Sequence, residues 1–190
     1  MHLRRRTFLL GAGAAALSPS LASADLYDDY VNAKSRLPFV VFLARDSEGR
    51  SGKPGHSFVG TGVEVDNGEL IYLRFFGFYP ASEDTLTELK SVFGKVSGDI
   101  AYKMKDLNWK VNFRVDVTDE QVAKANAIAD KWKSNDPKYN LLNNGGRNCS
   151  AFAAEIATAV GLKVPDGAGS KFPITFMTQM RDLNKPPPRQ

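Results

Sequence analysis

Ser57-Phe58-Val59-Gly60-Thr61-Gly62-Val63-Glu64-Val65-Asp66-Asn67-Gly68-Glu69-Leu70-Ile71-Tyr72-Leu73-Arg74-Phe75-Phe76-Gly77-Phe78 decides the fold class of this chain. Two runs rich in β-branched and aromatic residues, 57–65 and 69–78, flank Asp66-Asn67-Gly68. Such side chains suit a pleated surface, and Asn-Gly tolerates the positive φ of a tight turn. The pair predicts an antiparallel hairpin. Upstream, 37–45 predicts another strand, and 46–54, rich in Ser, Gly and Pro, predicts a loop. Downstream, Thr85-Leu86-Thr87-Glu88 predicts a capping box on a short helix that Gly94 stops. Segments 99–104 and 110–117 predict further strands. Thr118-Asp119-Glu120-Gln121 predicts a second capping box, and Val122, Ala125, Ile128 and Trp132 follow at core-facing helical spacing. A helix beginning at Cys149 or Ser150 and ending near Gly161, then a short helix over 173–183, complete the reading. The sum is a single α+β domain over 25–184, with a largely antiparallel sheet packed against helices. No internal repeat or second domain is visible, and the Pro-rich 185–190 is expected to leave as an extended tail.

Residues 1–24 are set apart. Arg4-Arg5-Arg6-Thr7-Phe8-Leu9-Leu10 is a twin-arginine pattern, an apolar small-residue stretch runs from Gly11 to Leu17, and Ala22-Ser23-Ala24 offers a small-x-small cleavage site. That order predicts export to a bacterial periplasm or exterior. The apolar run is too short to span a bilayer, so no membrane span is expected after cleavage. Three of the 25 Lys+Arg lie in this segment, leaving 22 against 21 Asp+Glu. A balance so near neutral gives little support for nucleic-acid binding, despite a sequence pI of 9.1. Lys103, Lys105, Lys110 and Arg114 lack the regular aromatic interleaving of a nucleic-acid track and predict a solvated sheet face.

Beyond residue 24 the chain holds one cysteine, Cys149, and one histidine, His56. With so few thiol and imidazole groups no zinc site rich in them is expected, no loop carries acidic residues at the spacing a calcium-binding EF-hand needs, and no cofactor or metal is predicted. Asn148 in Gly145-Gly146-Arg147-Asn148-Cys149-Ser150 is a good N-cap, which puts Cys149 in the first helical turn. There the free N–H groups and the positive end of the dipole favour a thiolate, and the N–H groups of Cys149 and Ser150 are candidates to hold an oxyanion. Cys149, Phe152, Ile156 and Val160 share a helix face, so the sulfur points toward the sheet. The competing reading is a cysteine that only completes that apolar face. His56 lies at a strand start, with Phe58, Gly60 and Gly62 on its side and Val59, Val63 and Val65 on the other. The glycines on the His56 side leave space for another backbone, a helix or a substrate. Alone His56 is as readily a solvent-facing or satisfied core histidine as a functional one; beside a helix-start cysteine it is the one side chain of its type suited to proton transfer near neutral pH.

A strand-borne histidine after glycine, a hairpin, then a Tyr-containing loop leading to Asn-Cys at a helix start resembles the permuted papain-like enzymes. These are relatives of the NlpC/P60 group that include the lecithin-retinol-acyltransferase-like proteins. His56 precedes Cys149, as in that permuted branch, and the likeness spans about Leu37 to Pro165. It implies a nucleophile-bearing helix packed on an antiparallel sheet that carries the base, and thiol-dependent hydrolysis or transfer of an amide or ester acyl group. Such enzymes place a polar residue on the next strand to orient the base. This chain has no carboxylate or amide side chain from Leu70 through Phe78. A two-residue turn at Asn67-Gly68 sets Tyr79 opposite His56, so Tyr79 is the candidate, with Glu83 or Asp84 behind it and core packing as its alternative role.

Three expectations follow. The first is an exported cysteine hydrolase acting on an amide bond, with peptidoglycan peptides as the substrate guess from compartment. The second is a lipid or acyl-ester hydrolase or acyltransferase, with an apolar rim that Phe75, Phe76 and Phe78 could supply, although core packing explains those three equally well. The third is a non-catalytic envelope binding module with a buried, inert Cys149 far from His56. Oligomeric state is not legible.

Overall fold

The computed structural model describes residues 7–8, 28–47, 55–82, 84–103, 106, 108–142 and 147–185. The remainder of the export segment, the Gly145-Gly146 pair and the Pro-rich tail from residue 186 lie outside the described residues. Among the described residues there are seven strands: β1 (Thr7–Phe8), β2 (Arg36–Arg45), β3 (His56–Val65), β4 (Leu70–Pro80), β5 (Val96–Ala101), β6 (Val111–Asp116) and β7 (Lys138–Tyr139). The helices are α1 (Thr85–Phe93), α2 (Asp119–Ser134), α3 (Cys149–Ala159) and α4 (Pro173–Leu183), with a short helical turn over 28–32 and a 3-10 turn at Ala168–Ser170. Six strands form an antiparallel sheet in the order β6-β2-β3-β4-β5-β7. Within the segment read as the export signal, β1 pairs in parallel with Ile71 and Tyr72 of β4. The architecture is α+β, as the hairpin and the helix caps predict.

The hairpin forms by a different route from the one expected. Its turn has three residues rather than two: Val65 donates to Glu69 O, Gly68 donates back to Val65 O, and Gly68 takes φ 78°. That slips the register by one. A bulge then restores it, because Thr61 pairs with Arg74 while Gly62 pairs with Tyr72, leaving Leu73 as the extra residue. Beyond the bulge the pairing is the expected one, which is why Tyr79 arrives at His56. β4 runs to Pro80, two residues longer than expected, because β5 continues the ladder as far as the Pro80–Gly98 pair. β5 itself lies three residues earlier than the predicted 99–104. Asp84, not Thr85, caps α1: its carboxylate accepts the Thr87 N–H at 2.8 Å and the Thr87 hydroxyl at 2.7 Å.

Helices α2, α3 and α4 cover one face of the sheet. Val40, Phe42, Val59, Phe76 and Phe78 meet Ala125, Ala129, Trp132, Phe152, Ile156, Phe176, Met177 and Met180 in one buried core. Thr118 and Gln121 form the expected capping box on α2. Of its predicted core residues, Ala125 and Trp132 are buried, with Ile128 partly so. The Trp132 ring lies edge-on to Phe78 at 4.9 Å and Phe152 at 5.0 Å, and its N–H donates to Glu155 at 2.9 Å. The opposite face has its own aromatic cluster: Phe39, Val41, Leu43, Phe58 and Tyr72, with Phe75 and Trp109 packed against it. The packing fills the space expected beside the glycines and decides between rim and core for the three phenylalanines. Gly60 and Gly62 do not leave an open surface; a Cβ on Gly60 would sit 2.6 Å from the Phe75 ring, and one on Gly62 2.6 Å from the Phe39 ring. Phe75, Phe76 and Phe78 do not form an exposed rim, since Phe76 and Phe78 face the helices and Phe75 is half-buried among rings. No helix among the described residues is long and apolar enough to cross a membrane.

Candidate functional site

Asn148 organises the helix end that carries Cys149. Its backbone is extended, and its Oδ1 accepts the Ala151 N–H at 3.0 Å, the bond an N-cap makes. Its Nδ2 donates to Leu141 O at 3.0 Å and Gly169 O at 2.6 Å. One side chain therefore joins the start of α3 to the segment before it and to the 3-10 turn before α4. The cap takes the Ala151 N–H, while the N–H groups of Cys149 and Ser150 lie in the first turn, where a helix has no internal acceptors for them. α3 starts at Cys149, and Cys149, Phe152, Ile156 and Val160 are all buried on the sheet side.

Cys149 is 3 % exposed, and its sulfur lies against Ser57 at the start of β3. The backbone N–H of Ser57 and both backbone and hydroxyl of Ser150 face it and favour the thiolate, as does the more distant charge of Arg45. Burial outweighs them and pushes the thiol above its ordinary value. Desolvation in this closed arrangement therefore works against the thiolate expected from the helix start. Ser57 and Ser150 also meet directly, with Oγ to Oγ 3.2 Å.

His56 begins β3, paired with Arg45 of β2, and is 4 % exposed. Its ring stacks on Tyr79 at 4.0 Å and 26°, and lies parallel to Phe58 at 6.2 Å. Gly77 makes this possible, since a Cβ there would collide with Nε2 of the imidazole. The third candidate, Tyr79, is thus brought to His56 as the register predicts. It holds the imidazole with its ring face; its buried hydroxyl has no hydrogen-bond partner among the described residues. Lys103 Nζ lies 4.1 Å from the same ring centroid. Asp84 is the exposed cap of α1, which removes it as an orienter, and Glu83 lies outside the described residues.

The chain positions of the pair meet, because Ser57 and Ser150 are each one residue beyond His56 and Cys149. The side chains lie on different faces. His56 shares the Phe58 face with the aromatic cluster, whereas α3 packs on the Val59 face. β3–β4 pairing stops at Phe58–Gly77, so residues 56 and 57 lie beyond that ladder. At the end of the ladder Cys149 meets Ser57, the residue after His56.

Sequence reasoning missed Arg45 and Asp106. Arg45 Nε donates to Asp106 Oδ1 at 3.0 Å, with Asp106 fully buried and Arg45 6 % exposed. Arg45 Nη1 also reaches Asp46 O at 3.3 Å. A buried ion pair thus sits on the cross-strand neighbour of His56. Arg45 ends an apolar run and Asp106 follows two lysines, so no local pattern links residues 61 positions apart. Gly77 was missed because its role depends on the ring above it. Among the described residues no group of three His, Cys, Asp or Glu gathers to hold a metal.

Comparison with known proteins finds no matching family model, no matching curated protein and no matching solved structure. The site is therefore read from its own geometry.

Proposed function

We propose that this protein is an exported cysteine hydrolase with a papain-like arrangement, Cys149 its nucleophile and His56 its base. The observation that carries the reading is the capped start of α3 set against the start of β3, with the Ser57 N–H on the Cys149 sulfur one residue from His56. Attack of the sulfur on an acyl carbonyl forms a tetrahedral oxyanion beside the first turn of α3, where the N–H groups of Cys149 and Ser150 stabilise it. His56 takes the thiol proton and returns it to the leaving group; water then releases the acyl group from the sulfur. Tyr79 and Gly77 hold the imidazole plane, and Asn148 and Ser150 hold the helix end. The export pattern motivates an amide of cell-wall peptides as substrate. Digestion of purified cell walls tests this. Peptide release by the wild type and none by Cys149→Ala is expected; no release by either, with a folded wild type, removes the substrate assignment.

A second reading is favoured by the burial of Cys149 and its raised thiol: a binding module of this architecture with a structural cysteine. Alkylation of the native protein across a pH series separates the two. A hydrolase gives a thiol that reacts at neutral pH and loses that reactivity in His56→Ala. A structural cysteine reacts only on unfolding.

A further inference from the structure

Helix α1 turns its apolar side chains outward. Leu86, Leu89 and Phe93 are 59 %, 55 % and 83 % exposed. Their i, i+3, i+7 spacing aligns them in one stripe, while Ser91 is the buried residue of the helix. Single exposed apolar residues are ordinary, but three aligned on one short helix form a ridge that calls for an occupant.

The charges around the ridge say which occupant. Lys90 lies on the same exposed side, and no acidic residue of α1 does, since Glu88 is turned toward the opposite flank. Lys95 follows Phe93 by two residues and opens a cleft of about 330 Å³ whose lining includes Lys131, Lys138 and Arg147. Its one acidic residue, Asp136, is paired with Lys138. Lys95 and Lys131 make no ion pair among the described residues. An apolar ridge flanked by cations on one side fits a surface where acyl chains lie beneath anionic headgroups.

We propose that α1 and the adjoining Lys95 cleft form a docking surface for an anionic lipid bilayer. Leu86, Leu89 and Phe93 enter the headgroup–acyl boundary, and the lysines pair with headgroup phosphates. The surface is separate from the Cys149 chemistry and stands without it.

Phe93→Trp, a change at an exposed position, places a reporter on the ridge. The full-length variant is mixed with vesicles of brominated phosphatidylcholine alone, or of the same lipid with phosphatidylglycerol. The unsubstituted protein supplies the background of Trp109 and Trp132. Because the readout belongs to residue 93, membrane contact by the apolar stretch near the N-terminus does not imitate it. The expected result is quenching of the introduced tryptophan by the anionic vesicles, with about tenfold weaker binding to the neutral ones, and loss of that difference in Lys90→Gln/Lys95→Gln. Cys149→Ala in the same background quenches as before. No quenching, equal quenching by both vesicle types, or a concentration-dependent dimer that shields residue 93 without lipid would each overturn the proposal.

Discussion

Gly77 shows how a single absent methyl sets the geometry at the base. Its missing Cβ is the space into which the His56 imidazole leans, under the Tyr79 ring. Gly77→Ala forces the ring out or the strands apart, and overpacking of this kind costs about 1–3 kcal/mol. Chemical denaturation is expected to show that loss, together with a displaced His56 signal by NMR; an unmoved imidazole resonance would contradict the packing described. Cys149 and Tyr139 contribute to the alkaline pH dependence, alongside the partly buried Tyr102 phenol, which is also raised. Burial raises all three, Tyr139 well above the ordinary phenol. The unfolded chain then releases protons first, near about 8.5 for thiol and about 10 for phenol. Their stabilising contribution is complete below those values and fades as pH climbs toward the folded ones. Urea midpoints should fall through the alkaline range, and Tyr139→Phe should flatten the fall. An unchanged alkaline limb in that variant would rule out the Tyr139 part.

At the scale of elements, α3 is held by its cap and by its apolar face. Asn148→Ala removes an N-cap bond and two donor bonds to Leu141 O and Gly169 O. Cap loss costs about 1 kcal/mol and each unmet buried acceptor about 1 kcal/mol or more, so a fall of roughly 2–4 kcal/mol is expected. Asn148→Asp keeps the cap acceptor and loses both donors, so it should recover only part of the loss; full recovery would mean that those two bonds contribute nothing. Phe152, fully buried against Phe76 at 6.1 Å and Trp132 at 5.0 Å, anchors the helix to the sheet. Phe152→Ala should cost about 3–5 kcal/mol in thermal or urea unfolding.

For the molecule as a whole, the Arg45–Asp106 pair ties β2 to a segment 61 residues away, on the edge of the candidate site. Removing one partner strands a buried charge, so Asp106→Ala is expected to lose about 3–5 kcal/mol, while a paired Arg45→Met/Asp106→Leu variant loses much less. A double variant as unstable as the single one would refute that account. The two faces of the sheet divide the labour. One is the helix-covered core that presents the Cys149 end of α3; the other is a ring cluster that locks His56, Phe58 and Tyr79.

The hairpin, the capping box on α2, the Asn148 cap and the α3 core face were legible because each rests on contacts a few residues apart. Register near Tyr79 was legible too, although a three-residue turn and a compensating bulge produced it. Three things were decided only in the folded molecule. Which sheet face the helices cover set the sides on which the Cys149 sulfur and the His56 imidazole lie, since alternation gives two faces without saying which one is buried under helices. Desolvation reversed the direction of the Cys149 shift, because burial depends on what packs around the first turn rather than on the turn itself. Arg45 met Asp106 because tertiary packing joins charges that no sequence period relates.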